Sequence, residues 1–349
     1  MNSKFRLLFL GNSQRGALMV MMVPLLIVML GLAALVVDIG RIMIVRNELQ
    51  NAADAAALAG AGKLQQYIQP NWTAAELAAH QAIPLNFSEQ EALLEGQVEL
   101  GFWPVNGVGG LRAYDVPPAA PQLGENPAVK VTIAREQGIN HGPLQFIFAP
   151  LLGLRQSSLT ASAVAVITTP GFASAGTLFP MVLNKCMFNQ FWANGAPLNP
   201  TQNIRIGSSY HYDNCSAGQW TSLDLFSQSA RVAKQLLVDG NNIDLNLLDE
   251  TFIQSGTENS IYSAVQQMVT ANGGYLEVLM PVVDSPDLSK SVPLPIVAFA
   301  PFRITASVGG SGKYIEGRFI ENYKAAGTSG GQVNNGSFFG AITAAILVK

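Results

Sequence analysis

The sequence predicts an α+β protein: a single N-terminal transmembrane helix continuing into a stalk helix, then an antiparallel-sheet-rich domain in two units. Three observations predict it. Gly16 to Val37 contain no charged side chain. Helix formers run on from Arg41 without a proline until Pro70. Beyond that point, apolar residues alternate with period two between Gly- and Pro-rich turns, the pattern of half-buried strands.

A helix rises ~1.5 Å per residue, so the uncharged run matches a bilayer core of ~30 Å. Pro24 lies inside it, and transmembrane helices tolerate proline where neighbours satisfy the freed carbonyl. The predicted order is an N-terminal segment 1–15, a span 16–37, a stalk helix 38–69, a first α+β unit 70–169 and a C-terminal α/β unit 170–349. Lys4, Arg6 and Arg15 precede the span with no acid among them, whereas Arg41 and Arg46 beyond it are offset by Asp38 and Glu48. The positive-inside rule then places residues 1–15 in the cytoplasm and exports the rest. A cleaved signal peptide shares this charge layout, but its apolar core usually stops at ~7–15 residues and does not lead into a helical repeat.

The stalk carries a seam. Val28, Gly31, Leu35, Asp38, Ile42, Val45, Leu49, Ala52, Ala56 and Ala59 recur at steps of three and four, which places them on one face. From Ala52 the seam shrinks to alanine, the mark of a helix or sheet approaching closely. That covering surface is either the protein's own domain or another subunit, with self-association through the stalk as one form of the second. Asp38 interrupts the apolar face. It either ends the span and pairs with Arg41 one turn on, or meets a cation from a neighbouring chain.

Within the first unit, 72–83 reads as a helix stopped by Pro84, and Gln97–Trp103, Val129–Arg135 and Leu159–Thr168 read as strands. Pro143 to Leu154 is apolar enough for a buried short helix or a membrane-surface segment. Thr169 to Gly176 punctuates the chain. Beyond it, Leu223–Val238 and Asn259–Thr270 read as helices. Leu178–Leu183, Tyr275–Val283, Ile296–Val308, Tyr314–Tyr323 and Phe338–Val348 read as strands, with Gly309–Gly312 as a hairpin-type turn.

Charged residues make up 12% of the chain and hydrophobic ones 49%, the reverse of a disordered composition. A net charge of −3 supplies no basic field for nucleic acid. Cys186 and Cys215 both follow the span, and an even count in an oxidising compartment favours a disulfide. Two separate buried thiols are the alternative.

No catalytic, cofactor or metal site is predicted. His80, His141 and His211 are too dispersed for zinc. His211-Tyr212-Asp213-Asn214-Cys215 is the densest polar cluster, yet adjacent residues of an extended chain face opposite ways. Gly107–Gly110 and Gly309–Gly312 lack the spacing of phosphate-binding loops. In Asp284-Ser285-Pro286-Asp287 a proline stands where a D-x-S-x-S metal site needs serine.

Gln14-Arg15-Gly16, the span, Val37-Asp38-Ile39-Gly40-Arg41 and the run from Glu48 to Gly60 (ELQNAADAAALAG) resemble the N-terminal segment of TadG-like proteins of bacterial tight-adherence (Flp) pilus-assembly systems. The likeness is close over about the first 60 residues and looser through the strands up to Thr169. It implies a non-enzymatic inner-membrane protein with a periplasmic domain; separately, the pattern of a long helix backed by an antiparallel sheet makes the unit over 70–169 pilin-like in architecture. Its implied partners are the inner membrane and pilus subunits or pilus secretion machinery. Pilin precursors of such systems carry glutamate at the fifth position after the cleaved glycine. Cleavage at Gly16 would put Met21 there, so an uncleaved accessory component fits better. The alternative is a membrane-tethered periplasmic enzyme or ligand-binding domain using the C-terminal unit.

Overall fold

The computed structural model describes residues 17–207, 209–212, 214–224, 226, 230–254, 259–330 and 338–348. The N-terminal segment with Lys4, Arg6, Arg15 and Gly16 lies outside the described residues, as does Asp213.

Helix α1 (Ala17–Ala61) runs without a break from the apolar span into the folded domain, with Pro24 inside it. At ~1.5 Å per residue its 45 residues extend for roughly 68 Å. From Met21 to Leu30 every large apolar side chain is more than half exposed, so this stretch of the span stays largely uncovered by the described residues. The stalk expected over 38–69 stops at Ala61. Gly60 and Gly62 weaken the helix there, and the amides of Lys63 and Leu64 turn to carbonyls three residues back, the tightening that closes a helix end.

Helix α2 (Trp72–Ala82) begins at Asn71, whose Oδ1 accepts from the Ala74 amide at 3.1 Å. Pro84 falls in a single 3₁₀ turn, Ile83–Leu85, which ends the helix. The two helices cross closely at Gly60. A Cβ there would lie 3.0 Å from the Ala75 carbonyl oxygen and 3.1 Å from the Ala79 methyl. Any Cβ at this position would force α1, α2 or Val129 to shift by a few tenths of an ångström.

Behind the helices stands an antiparallel sheet of β1 (Gln97–Pro104), β2 (Glu125–Arg135) and β3 (Leu159–Val166). Short strands extend it at both edges, Arg112–Ala113 beside β1 and Ile346–Leu347 beside β3. Period-two alternation turns Val129, Val131 and Ile133 of β2 and Ala161, Ala163 and Ala165 of β3 into one core with Leu49, Ala52 and Ala56 of α1. Alanine on both partners lets helix and sheet approach closely. Each larger apolar side chain buried there contributes about 1.5–3 kcal/mol.

The second sheet contains β4 (Met181–Asn184), β5 (Ile204–Ile206), β6 (Gly218–Trp220), β7 (Leu276–Val283), β8 (Pro293–Val308) and β9 (Tyr314–Phe319), in the order β5-β9-β8-β7-β4-β6. Its pairings along this path are antiparallel except β4 with β7. Helices α3 (Cys186–Phe191), α4 (Ala230–Asp239) and α5 (Asn259–Ala271) belong to this part. Ile261, Val265 and Val269 of α5 enter the core, where the buried Trp220 indole donates to the Tyr262 hydroxyl at 3.0 Å.

The long antiparallel strands lie near their expected positions, but four features differ. The helix expected over Leu223–Val238 is described from Ala230, and Leu223 itself is buried with φ +53°, a left-handed conformation that does not belong to a helix. Helix α3 is too short to leave a periodic signal. Tyr314–Tyr323 breaks after Phe319. Phe338–Val348 splits into Ala341–Ile342, parallel to Tyr323–Lys324, and Ile346–Leu347, which pairs with Val166 and Ala165 of β3. Through Ile346–Leu347 the chain therefore returns to the first sheet. Within the punctuated segment after Thr169, Pro170–Ala173 is a strand between Leu245–Asn246 and Thr328–Gly330.

Candidate functional site

Three polar residues of α1 lie along the side of the helix that faces the domain, just past the apolar span: Asp38, Arg41 and Glu48. Steps of three and seven residues return a helix to nearly the same face. Asp38 is 2% exposed. Its Oδ1 accepts from the amide of Ile147 at 2.8 Å, and its Oδ2 accepts from Phe148 at 2.9 Å and Ala149 at 2.6 Å. The carboxylate thus caps the turn entering a 3₁₀ segment, Ala149–Leu152. Neither an Asp38–Arg41 pair nor a cation from another chain is needed to explain its burial. Three backbone donors fill most of the roughly four acceptor sites of an ionised carboxylate.

Arg41 holds the other side of the same loop. Its Nη1 donates to the Gln145 carbonyl at 2.8 Å, and its Nη2 pairs with Glu89. Arg135, whose side chain is nearly buried, donates to the second Glu89 oxygen at 2.9 Å. The Glu89 amide in turn donates to Glu48 at 3.0 Å. Burial pushes the Glu89 carboxyl up, but hydrogen bonds from Arg41 and then Arg135 outweigh it and hold the group below the usual carboxylate range. Glu89 and Gln90 form the turn of a small hairpin at φ +50° and +68°. Such conformations cost a non-glycine residue about 1–2 kcal/mol, offset here by the contacts of Glu89.

The seam residues fall as follows. Val45, Leu49, Ala52 and Ala56 are fully buried against the sheet of their own chain, and Ala53, Ala57 and Ala61 join them. Ile42 is half-buried and packs on the same core, and Ala59 is only half-buried. The alanine stripe is filled from within and offers no face to another subunit. The helix face left exposed carries Met43, Ile44, Asn47 and Asn51. Sequence reasoning missed Glu89, Arg135 and the role of Arg41. The one available signal was the three-residue spacing of Asp38 and Arg41.

Cys186 at the start of α3 is disulfide-bonded to Cys215 in a hairpin, with Cα atoms 6.5 Å apart. Cys215 is therefore no nucleophile for His211, which instead reaches Ser216 Oγ at 3.5 Å across the hairpin. His141 meets the Ala92 carbonyl and Glu91. Among the described residues no three potential metal ligands cluster. Asp284 pairs with Lys185, and Asp287 caps the Ser289 amide. The glycines between β8 and β9 form a turn that Asn259 of α5 caps through the Gly310 amide.

A groove of about 500 Å³ runs beside β7, and its lining includes two titratable side chains, Glu277 and Tyr323. Glu277 is committed to Arg303, and burial followed by the Glu277 charge pushes the Tyr323 hydroxyl up. Glu277 and Tyr323 also line a neighbouring cavity with Arg303, Arg318, Glu321 and Lys324.

Comparison with known proteins bears on the first sheet and its helix. Residues 16–63, which include the whole of α1, match the Tad family, described as Flp pilus-assembly, TadE/G-like. Residues 49–165, from mid-helix to the end of β3, match a second family described as Tad-like Flp pilus-assembly. Neither match extends into the second sheet. No curated protein and no solved structure matches the chain. From residue 16 to residue 165, this chain is similar to the TadE/G-like and Tad-like Flp pilus-assembly families.

Proposed function

We propose that the chain is a non-enzymatic, single-pass inner-membrane component of a bacterial Flp pilus-assembly system, with its N-terminus cytoplasmic and its sheet domain periplasmic. Its helix anchors and orients the domain, which contacts pilus or secretion-channel subunits. The observation that carries this reading is the continuity of α1, whose exposed apolar half and the half bearing the buried alanine stripe are one 45-residue element. A domain fixed this way cannot tumble on a tether. Any partner it binds is held at a set height and angle above the bilayer, which is what assembly at a membrane requires.

The uncovered stripe of Met43, Ile44, Asn47 and Asn51 lies just beyond the span, within reach of another helix emerging from the same membrane. A photo-crosslinking residue at Asn47 or Asn51 in intact piliated cells should yield adducts with a pilus subunit or secretion-channel component. Adducts with lipid alone, or none while pili still assemble, would contradict the contact. A reporter fused after Lys349 should be active only in the exported compartment.

A further inference from the structure

We infer that the loop Phe146–Leu154 is a second membrane contact, an apolar wedge seated among lipid acyl chains beside the span and locked there by Asp38. This rests on α1 lying in the bilayer but not on the pilus role.

From Pro143 to Leu154 the loop carries no charged residue. Ile147 is 57% exposed, Leu151 87%, Leu152 73% and Leu154 61%. Contiguous exposure of this kind on one loop marks an interaction surface. The loop does not project away from the molecule. Phe148, Leu151 and Leu152 form one wall of an apolar groove of about 770 Å³, whose other wall is α1 from Ile27 to Val37. Ile27 lies eleven residues before Asp38, or ~16 Å down the helix axis. The groove therefore opens along the part of α1 that carries the bilayer-length apolar run, and its occupant is the solvent of that run.

The backbone supports the same occupant. A lipid-exposed loop is excluded wherever its amides lack partners, because hydrocarbon supplies none. Here the amides of Ile147, Phe148 and Ala149 go to Asp38. Those of Leu151, Gly153 and Leu154 go to carbonyls within the turn, and Pro150 has no amide. The buried carboxylate thus removes the main obstacle to placing this loop at the membrane. Arg155, exposed at the base of the loop, sits where lipid phosphates would lie. Two contacts, the span and the wedge, fix rotation of the domain about the helix axis, which a lone helix leaves open.

The test uses the full chain, its disulfide intact, in vesicles of phosphatidylethanolamine and phosphatidylglycerol. A nitroxide is placed at Leu152→Cys, at Leu30→Cys in the span and at the fully exposed Leu123→Cys. Collisions with oxygen, which concentrates in acyl chains, are compared with collisions with a water-soluble nickel chelate. The oxygen-to-nickel ratio at residue 152 should approach that at residue 30 and exceed that at residue 123 several-fold. Adding Asp38→Asn should raise label mobility at residue 152. A water-like ratio at 152 with a lipid-like ratio at 30 overturns the wedge alone. A water-like ratio at 30 overturns the membrane reading on which it rests. A label at 152 shielded from both reagents identifies a protein occupant, such as a neighbouring helix, and also overturns the wedge.

Discussion

Asp38 and Arg41 stand one turn apart on α1 and grip opposite sides of one loop. Asp38 takes the amides of residues 147–149, and Arg41 donates to the carbonyl of Gln145 at 2.8 Å. An acid faces the donor-rich side of the turn and a base faces the acceptor on the other. The D-x-G-R sequence at the membrane boundary is therefore a clamp between helix and loop. Gly40 between them faces open space, and no neighbouring atom explains why it is glycine.

Removing the carboxylate should cost more than removing a surface charge. Asp38→Ala orphans three amides around a buried position, so unfolding in detergent should show a loss on the order of 3 kcal/mol. Asp38→Asn keeps the shape but presents an NH₂ group toward donors, so it should recover only part of that loss. Hydrogen exchange at residues 147–149 should accelerate in both variants. Unchanged protection there would show that the clamp contributes nothing.

The alanine stripe supports the fold rather than a partner. Ala52→Leu or Ala56→Leu adds methylenes at positions with no exposure and should destabilise the isolated protein by about 1–3 kcal/mol, visible as faster proteolysis. Ala55→Leu, on the exposed face, should be nearly silent. A stable Ala52→Leu protein that fails only in pilus assembly would return the stripe to an intermolecular role.

Glu89 gives the junction a pH dependence. Its folded-state carboxyl is held below the ordinary value of 4.5, so its stabilisation is fully present above that value and fades as pH falls through the lowered one. Wild type should therefore exceed Glu89→Gln in melting temperature at neutral pH, and the gap should close in acid below 4.5. A gap that stays constant across that range would mean that the charge is not what matters.

The Cys186–Cys215 bridge closes a segment of 29 residues, for which the chain-entropy estimate is about 3–4 kcal/mol. Non-reducing mass spectrometry of protein from the cell envelope should recover one peptide pair containing both cysteines. Reduction should lower the melting temperature. Two alkylatable thiols in the untreated protein would contradict the bridge and weaken the export assignment.

The sequence shows packing well and partners poorly, for physical reasons. Val129, Val131 and Ile133 alternate cleanly because one face of β2 is buried, so the strand is legible from its own residues. Leu49, Ala52 and Ala56 announce a buried face, but the same pattern serves a sheet from this chain or a helix from another. Only the fold, with alanines of β3 opposite them, decides it. Asp38 was recognisable as an intruder on an apolar seam. Its partners are backbone amides more than a hundred residues away, and amides leave no mark in sequence. Leu223 misled because a helical apolar pattern does not reveal a left-handed residue.

The central claim is that α1 stays whole, anchoring in the membrane the domain whose core it builds. The most direct test is the intact mass of the protein extracted from the membrane fraction. The account predicts a species that retains residues 1–15 ahead of the span. A species beginning at Ala17, as processing after Gly16 would give, or one beginning beyond Val37, would contradict it.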